Sequence, residues 1–476
     1  MAILDNLEPK NVFHFFEEIS AIPHGSGNTK QISDWLMDFA RHRNLEAYQD
    51  DLNNIIIIAK ASDGYENAEP IILQGHMDMV CEKAPDCKKD MKHEGLDLAV
   101  DGDTIYAKGT TLGSDDGIAV AIMLAILDDK TILRPRLEAI FTVDEEIGML
   151  GASGLDVSVL QGRRMLNLDS EIEGVFTVSS AGGNVTQCTL PIKRESFAGK
   201  ALSITVGGLR GGHAGIEINK GLANANILLG RVLYAVKTNL RLISVSGGLK
   251  DNAIPCEATA KIITDDAENF SKICVDLERQ IKNEYRITDP DIFISINECE
   301  MSEPMNEEST RKIISFLTCL SNGIQTMSAD IPGLVQTSLN LGILKTTNDN
   351  VIASSGVRSS LDSEKQMLVN RLTCLTEMLS GSVKIFGDYS GWEYQKNSPL
   401  RDLLTEVFTE QYGYAPKFES IHAGVECGIF ANKLPGLDCV SIGPTLTEIH
   451  TYREKLHIAS VQRLWKMILE VLKRLK

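Results

Sequence analysis

Five apolar, strand-like runs in this chain each lead to a residue type that binds metal ions. They are Ile71-Ile72-Leu73-Gln74-Gly75-His76-Met77-Asp78, Leu112-Gly113-Ser114-Asp115-Asp116-Gly117, Ala139-Ile140-Phe141-Thr142-Val143-Asp144-Glu145-Glu146, Met165-Leu166-Asn167-Leu168-Asp169, and Val440-Ser441-Ile442-Gly443-Pro444 leading on to His450. Open α/β sheets hold their ligands in the crevice outside the carboxyl ends of the strands, so residues distant in sequence meet there. The pattern therefore predicts a binuclear metal site. Two histidines and three carboxylates suit a pair of zinc ions.

At 476 residues the chain exceeds what one core usually organises, and two domains are expected. A net charge of −18 argues against a nucleic-acid partner and against an anionic membrane surface, both of which select clustered Lys and Arg. The ten cysteines are scattered without a C-x-x-C pair, as expected of reduced thiols. The segment Met1 to Lys10 has no basic stretch followed by an apolar one, so no signal peptide is expected. The longest apolar run, Ala119 to Leu127, falls far short of the ~20 residues that span a bilayer. A cytoplasmic protein is the expectation.

Val12, Phe13, Phe15, Phe16 and Ile19 recur at helical spacing. The continuous β-branched run Asn54 to Ile58 reads as a buried strand, followed by the strand ending at His76, a helix from Asp116 to Leu127, and strands ending near Glu145 and Asp169. This alternation predicts an α/β fold with a mostly parallel central sheet and flanking helices. After Ser179-Ser180-Ala181-Gly182-Gly183 the texture shifts to alternating strands such as Ala201 to Val206, a helix from Leu222 to Val236, a strand Ala258 to Ile263, a helix Ala267 to Lys282 and a strand Ile292 to Ile296. A similar order recurs from Ser309 to Leu379, hinting at a duplicated α+β unit. Because His450 follows this insert while the other ligand candidates precede it, the first domain must be discontinuous. The expected boundaries are 1–185 and 389–476 for the catalytic domain and 186–388 for the insert. The segment Ile458 to Leu475 has Val461, Leu464, Trp465, Ile468, Leu469 and Leu472 on one face and should close the first domain as a helix.

Two metal ions stay a few ångströms apart when an oxygen ligand bridges them, and Asp115, standing where a loop meets a helix start, is the candidate bridge. His76 and Asp169 are assigned to one ion, Glu146 and His450 to the other. Asp78, two residues beyond His76, can hydrogen-bond its imidazole. Glu145, adjacent to Glu146, can take a proton from a water shared by the ions and pass it to a leaving amine. The turn Gly207-Gly208-Leu209-Arg210-Gly211-Gly212-His213-Ala214-Gly215 fails both G-x-G-x-x-G and the phosphate-loop pattern. It reads either as a flexible turn with an incidental histidine, or as a loop whose His213, brought over the metals by domain closure, donates to a developing oxyanion.

With these residues in hand, the sequence resembles the aminoacylase and carboxypeptidase clan of co-catalytic zinc exopeptidases, most closely its cytosolic Xaa-His dipeptidases, the aminoacyl-histidine dipeptidase or peptidase D group. The likeness runs nearly end to end. Its carriers are Gly75-His76-Met77-Asp78-Met79-Val80, Gly109-Thr110-Thr111-Leu112-Gly113-Ser114-Asp115-Asp116-Gly117, Asp144-Glu145-Glu146-Ile147-Gly148-Met149, Asn167-Leu168-Asp169-Ser170-Glu171, Gly211-Gly212-His213-Ala214-Gly215, His422-Ala423-Gly424-Val425-Glu426-Cys427-Gly428 and Gly443-Pro444-Thr445. The resemblance implies metal ligands at His76, Asp115, Glu146, Asp169 and His450, catalytic roles for Asp78 and Glu145, and a lid domain in the insert. It further implies lid residues that reach substrate: His213, Asn252 and Arg358. Arg358 is placed either as a bidentate clamp on the terminal carboxylate or as an ordinary surface arginine. Glu426, set among small residues, is a candidate partner for the free α-ammonium of a dipeptide. One local departure is Thr451-Tyr452-Arg453-Glu454 after His450, where related enzymes carry a Ser-Pro-Asp-Glu type of segment.

The expectation is thus a metallo-dipeptidase for unblocked dipeptides, Xaa-His among them, with two zinc ions per subunit for which manganese or cobalt can substitute, and Glu145 as general base. Its small-peptide substrate is the expected partner, together with a homodimer formed through the lid. The rivals are a deacylase or carboxypeptidase of the same clan, acting on N-acyl amino acids, and a non-catalytic metal- or peptide-binding protein on the same fold.

Overall fold

The computed structural model describes residues 3–236 and 239–476. Met1 and Ala2, at the start of the segment read for a leader, lie outside the described residues. The described chain divides into two compact units. One comprises residues 1–179, 394–420 and 425–476, and the other residues 180–393 and 421–424.

The first unit is built on an eight-stranded sheet in the order Glu46–Gln49, Ile55–Ala59, Leu137–Thr142, Ile71–His76, Arg164–Asn167, Asp438–Ser441, Val175–Ser180, Lys417–Ile421. Its centre is parallel: Ile71–His76 pairs in parallel with Leu137–Thr142 and with Arg164–Asn167, which pairs in parallel with Asp438–Ser441. The flanks are antiparallel, since Ile55–Ala59 runs against both Glu46–Gln49 and Leu137–Thr142, and Asp438–Ser441 runs against Val175–Ser180. The mostly parallel sheet expected from sequence is therefore parallel in its four central strands, while Glu46–Gln49, Ile55–Ala59 and Val175–Ser180 join it antiparallel. The physical reason is that an unbroken apolar run reports burial on both faces and carries no information about strand direction. All five residues of Ile55–Ala59 are indeed buried.

The helix Lys10–Ser20 buries Val12, Phe13, Phe16 and Ile19, the face given by helical spacing. It stops short of Pro23, whose ring disfavours a helical residue before it. The helix Ser114–Asp128 is buried from Gly117 to Leu127, as befits a helix apolar all round. At Gly117 it packs against the first helix, where a Cβ would sit in ordinary contact, 3.4 Å from Ile19 and 3.5 Å from Phe16. Cutting a buried side chain such as Ile122 back to alanine should cost about 2–5 kcal/mol. The closing helix Ile458–Arg474 buries Val461, Leu464, Ile468 and Leu472.

The second unit carries a nine-stranded sheet whose neighbouring strands all pair antiparallel. Its order is Phe293–Glu298, Lys200–Gly207, Ala258–Thr264, Leu240–Gly247, Val335–Thr346, Asn350–Ser359, Gly182–Pro191, Ser382–Tyr389, with Gly323–Met327 also on Val335–Thr346. Helix Ala225–Ala235 connects Lys200–Gly207 to Leu240–Gly247, and helix Ala267–Glu284 connects Ala258–Thr264 to Phe293–Glu298. Helices Glu307–Cys319 and Asp362–Met378 occupy the matching places among the other four strands. Helix Ala225–Ala235 begins three residues later than its apolar spacing suggests. Asn224 caps it, its side chain accepting from the N–H groups of Asn226 and Ile227.

Candidate metal centre

All four parallel strands of the first unit end on one edge of the sheet, and the residues just beyond them form the site. His76 is the last residue of its strand, Glu145 and Glu146 follow Thr142, and Asp169 follows Asn167 by two. Gly75 is required beside His76, because a Cβ there would stand 2.5 Å from the Asp116 carboxylate.

Asp115 lies between the two histidines. Its Oδ1 is 3.2 Å from His76 Nε2, and its Oδ2 is 3.2 Å from His450 Nε2. His76 Nε2 is also 3.6 Å from Asp169 Oδ1, and His450 Nε2 is 2.9 Å from Glu146 Oε1. The structure thus brings together His76, Asp115, Glu146, Asp169 and His450. Glu145 joins them, since ligand atoms of His76, Glu145 and Glu146 all lie within 4.8 Å of one another. The backbone of Asp115 (φ −87°, ψ 100°) and Asp116 is non-helical, so the regular helix starts only beyond them. His450 sits at φ 57°, a left-handed conformation that costs a non-glycine residue of order 1 kcal/mol.

Asp78 organises the near side. Its carboxylate accepts from the Glu145 N–H at 3.1 Å and from the Ser26 hydroxyl at 2.8 Å. The closest partner of His76 Nδ1 is the Asp78 main-chain carbonyl at 3.0 Å, with the carboxylate at 3.5 Å. A carbonyl oxygen can only accept, so Nδ1 carries the proton and Nε2 is left to bind a cation.

The electrostatics favour added positive charge. Asp115 and Glu146 hold His450 up at about 10, and burial raises Asp169 to about 6 and Glu171 to about 7. Burial also pushes Glu145 and Asp116 well above the usual carboxylate range. So many desolvated carboxyl groups in one place are compensated by cations. Oxygen and imidazole donors at these spacings fit divalent metal ions, with Asp115 able to offer one oxygen to each of two.

Glu426, the first residue of the helix Glu426–Lys433, is fully buried. It accepts from Gln74 Nε2 and from the Thr142 hydroxyl, each at 2.6 Å. In the second unit, Gly212–His213 pairs with Ala253–Ile254. The ring Nδ1 of His213 accepts from the N–H groups of Gly215 and Ile216, each at 3.1 Å. That fixes the proton of the neutral ring on Nε2, leaving it a donor. Asn252 is exposed, and its carbonyl accepts from Ala214 N–H at 2.8 Å. Arg358 is part-buried and donates to the Tyr389 hydroxyl at 3.2 Å.

The profile of Peptidase family M20/M25/M40 matches residues 72–474 of this chain. The chain belongs to that family. Among curated proteins it is 36% identical over 482 residues to the "Cytosol non-specific dipeptidase" of Escherichia coli strain K12, taking in 100% of this chain and 99% of that one. Among solved structures it superposes with a TM-score of 0.94 on the aminoacylhistidine dipeptidase from Vibrio alginolyticus, at 32% identity over 99% of this chain and 98% of that one. Aminopeptidase PepT from Bacillus cereus shares the fold at a TM-score of 0.56 and 15% identity, over 98% of this chain and 99% of that one.

Three groups of this M20 chain, two at the site and one in the second unit, were not read as functional from the sequence. Asp116 is buried beside the ligands and accepts from His76 N–H at 3.2 Å. Glu454 is buried and accepts from the N–H groups of Leu112, Gly113, Ser114 and Asp115 and from the Ser114 hydroxyl. Its available signal was its place four residues after His450. His422, in the second unit, is buried with Nε2 2.7 Å from the Ser338 hydroxyl, and it lay inside a motif already singled out. Among the described residues no helix is long and apolar enough to cross a membrane.

Proposed function

We propose that this chain is a cytoplasmic metallo-dipeptidase that hydrolyses unblocked dipeptides, Xaa-His dipeptides among them. The observation that carries the reading is the Asp115 carboxylate, whose two oxygens face imidazoles supplied from opposite ends of the chain, His76 and His450. The names of the E. coli and Vibrio relatives support a dipeptide substrate, one marking breadth and the other a histidine preference.

His76, Asp169 and Asp115 would hold one zinc ion, and His450, Glu146 and Asp115 the other. Bound there, the ions would polarise a scissile carbonyl and acidify a water. Asp78 keeps the imidazole of His76 oriented and pins the Glu145 main chain, so that the Glu145 side chain meets the reacting atoms in one geometry. Glu145 accepts a proton from the attacking water and delivers it to the leaving amine; its raised affinity for protons suits both halves of that task. From the second unit, His213 donates from Nε2 to the developing oxyanion. Arg358 and Asn252 bind the dipeptide, Arg358 at its terminal carboxylate.

The second unit is read as the inserted lid, built from a duplicated strand–helix–strand–strand–helix–strand motif. Support comes from the sheet: each half places its four strands in the same relative order, and the halves meet where Leu240–Gly247 pairs with Val335–Thr346.

A dipeptide panel with free and N-acetylated amino termini, assayed with chelator and with added zinc, tests the reading. Chelator-sensitive, zinc-restored cleavage of unblocked dipeptides, with acetylated ones spared, is expected. Preferred cleavage of N-acyl substrates would replace it with the deacylase alternative, and stoichiometric binding without products would replace it with the binding-protein alternative.

A further inference from the structure

Below the candidate ligands, on the same sheet, lies a buried polar chain. Asn167 Nδ2 donates to Gln74 Oε1 at 2.7 Å, Gln74 Nε2 donates to Glu426 Oε2 at 2.6 Å, and the Thr142 hydroxyl donates to that same oxygen at 2.6 Å. Gln74, Thr142 and Glu426 have no exposed surface, and Asn167 has 1%. These residues interrupt strands that are otherwise apolar, such as Ile71-Ile72-Leu73 and Met165-Leu166. A buried polar network is costly compared with a hydrocarbon core unless its order serves a purpose.

The arrangement of the strands supplies the purpose. Gln74 stands two residues before His76, and Asn167 two before Asp169, so each pair shares a sheet face. Thr142 closes the strand that runs on to Glu145 and Glu146, and it is in register with His76, as Gln74 is with Asn167. One Glu426 oxygen therefore ties two adjacent strands directly, through Gln74 and Thr142, and a third through the Gln74–Asn167 bond, and each of the three presents a candidate ligand or base just beyond.

We infer that Glu426 is a positioning residue: from the start of its helix, its carboxyl holds the Gln74–Asn167 pair and Thr142 so that His76, Asp169 and the Glu145–Glu146 turn keep the spacing that a metal pair requires. This rests on reading the cluster as a metal centre, not on the identity of the substrate. It differs from the role expected from sequence, recognition of a dipeptide ammonium, which needs a carboxylate open to substrate. Glu426 has no exposed surface, its Oε1 is buried without a partner among the described residues, and burial raises its carboxyl to about 8, toward the neutral form.

The test compares Glu426→Leu, which removes the acceptor at similar size, with Glu426→Gln, which keeps an acceptor oxygen, and with Thr142→Val, which removes a single bond. Zinc affinity is measured by competition with a chromogenic chelator, and kcat and KM are measured on unblocked dipeptides. Expected are a 10- to 100-fold weaker zinc affinity and a matching loss of kcat in Glu426→Leu at unchanged KM. A smaller loss is expected in Thr142→Val, with rescue toward wild type in Glu426→Gln. Unchanged zinc affinity and kcat in both Glu426→Leu and Thr142→Val overturn the inference. So does a higher KM for unblocked dipeptides in Glu426→Gln at unchanged zinc affinity and kcat, which assigns the carboxylate to the ammonium. If Glu426→Leu does not fold, Thr142→Val and Gln74→Leu decide by the same readouts. Wild-type protein that cleaves no dipeptide but shows this zinc pattern overturns the proposed activity and leaves the inference standing.

Discussion

The Glu454 carboxylate accepts the backbone N–H of Asp115 at 3.3 Å, together with those of Leu112, Gly113 and Ser114. A loop that presents the carboxylate between two imidazoles is thereby anchored to the segment that presents one of them, His450. The arrangement resembles an anion in a nest of amides, with the protein supplying the anion.

Replacing Glu454 with alanine leaves buried N–H groups unsatisfied and should cost on the order of 3 kcal/mol of stability. Urea unfolding of chelator-treated wild type and variant measures it. A midpoint equal to wild type would show that the four amides find other partners.

Glu145→Gln removes the proton acceptor while leaving every candidate ligand in place. Metal content should stay at the wild-type value, and kcat should fall roughly 100- to 10 000-fold, the usual weight of a general base. Substantial turnover by the fully loaded variant would reassign the base.

His450→Ala strips one imidazole from the Asp115–Glu146 pair. Bound metal should drop from two ions per chain to one, counted by elemental analysis after dialysis. Retention of both ions would mean that His450 is not a ligand.

The two His213 variants separate packing from donation. His213→Ala should lower kcat about 100-fold or more with little change in KM, because an oxyanion donor acts mainly in the transition state. A purely structural His213 would instead show its loss as reduced thermal stability with kcat retained in His213→Gln.

His422, in the second unit, gives a pH signature of its own. Burial, with the Arg358 charge adding to it, lowers its imidazole from 6.5 to about 4. Between those values the unfolded chain binds a proton that the folded chain does not, so stability falls as pH drops through that window. The shift corresponds to about 3 kcal/mol. His422→Gln should flatten the difference between urea midpoints at neutral and acid pH, measured on chelator-treated protein; an unchanged difference would place the titration elsewhere.

Much of the first unit was legible because its code is local. Apolar periodicity marks the helices Lys10–Ser20 and Ile458–Arg474, and short apolar runs such as Ile71-Ile72-Leu73 and Ala139-Ile140-Phe141 mark the central strands. The same code could not report strand direction, which is why the flanks of the sheet differ from expectation. Neither could it show Asp116 and Glu454 at the site, since an Asp-Asp pair and a lone Glu look alike whether buried or solvated.

Residue order alone determined that ligand-type side chains follow the central strands, because a strand carries its successor residue to its own carboxyl edge. Only the tertiary structure decided which of them meet. The closeness of His450 to Asp115 depends on a sheet that receives Asp438–Ser441 beside Arg164–Asn167. The burial of Glu426 beneath His76 depends on the helix laid over those strands. Side-chain chemistry is written residue by residue, whereas desolvation and distance are properties of neighbours that the linear chain does not yet have.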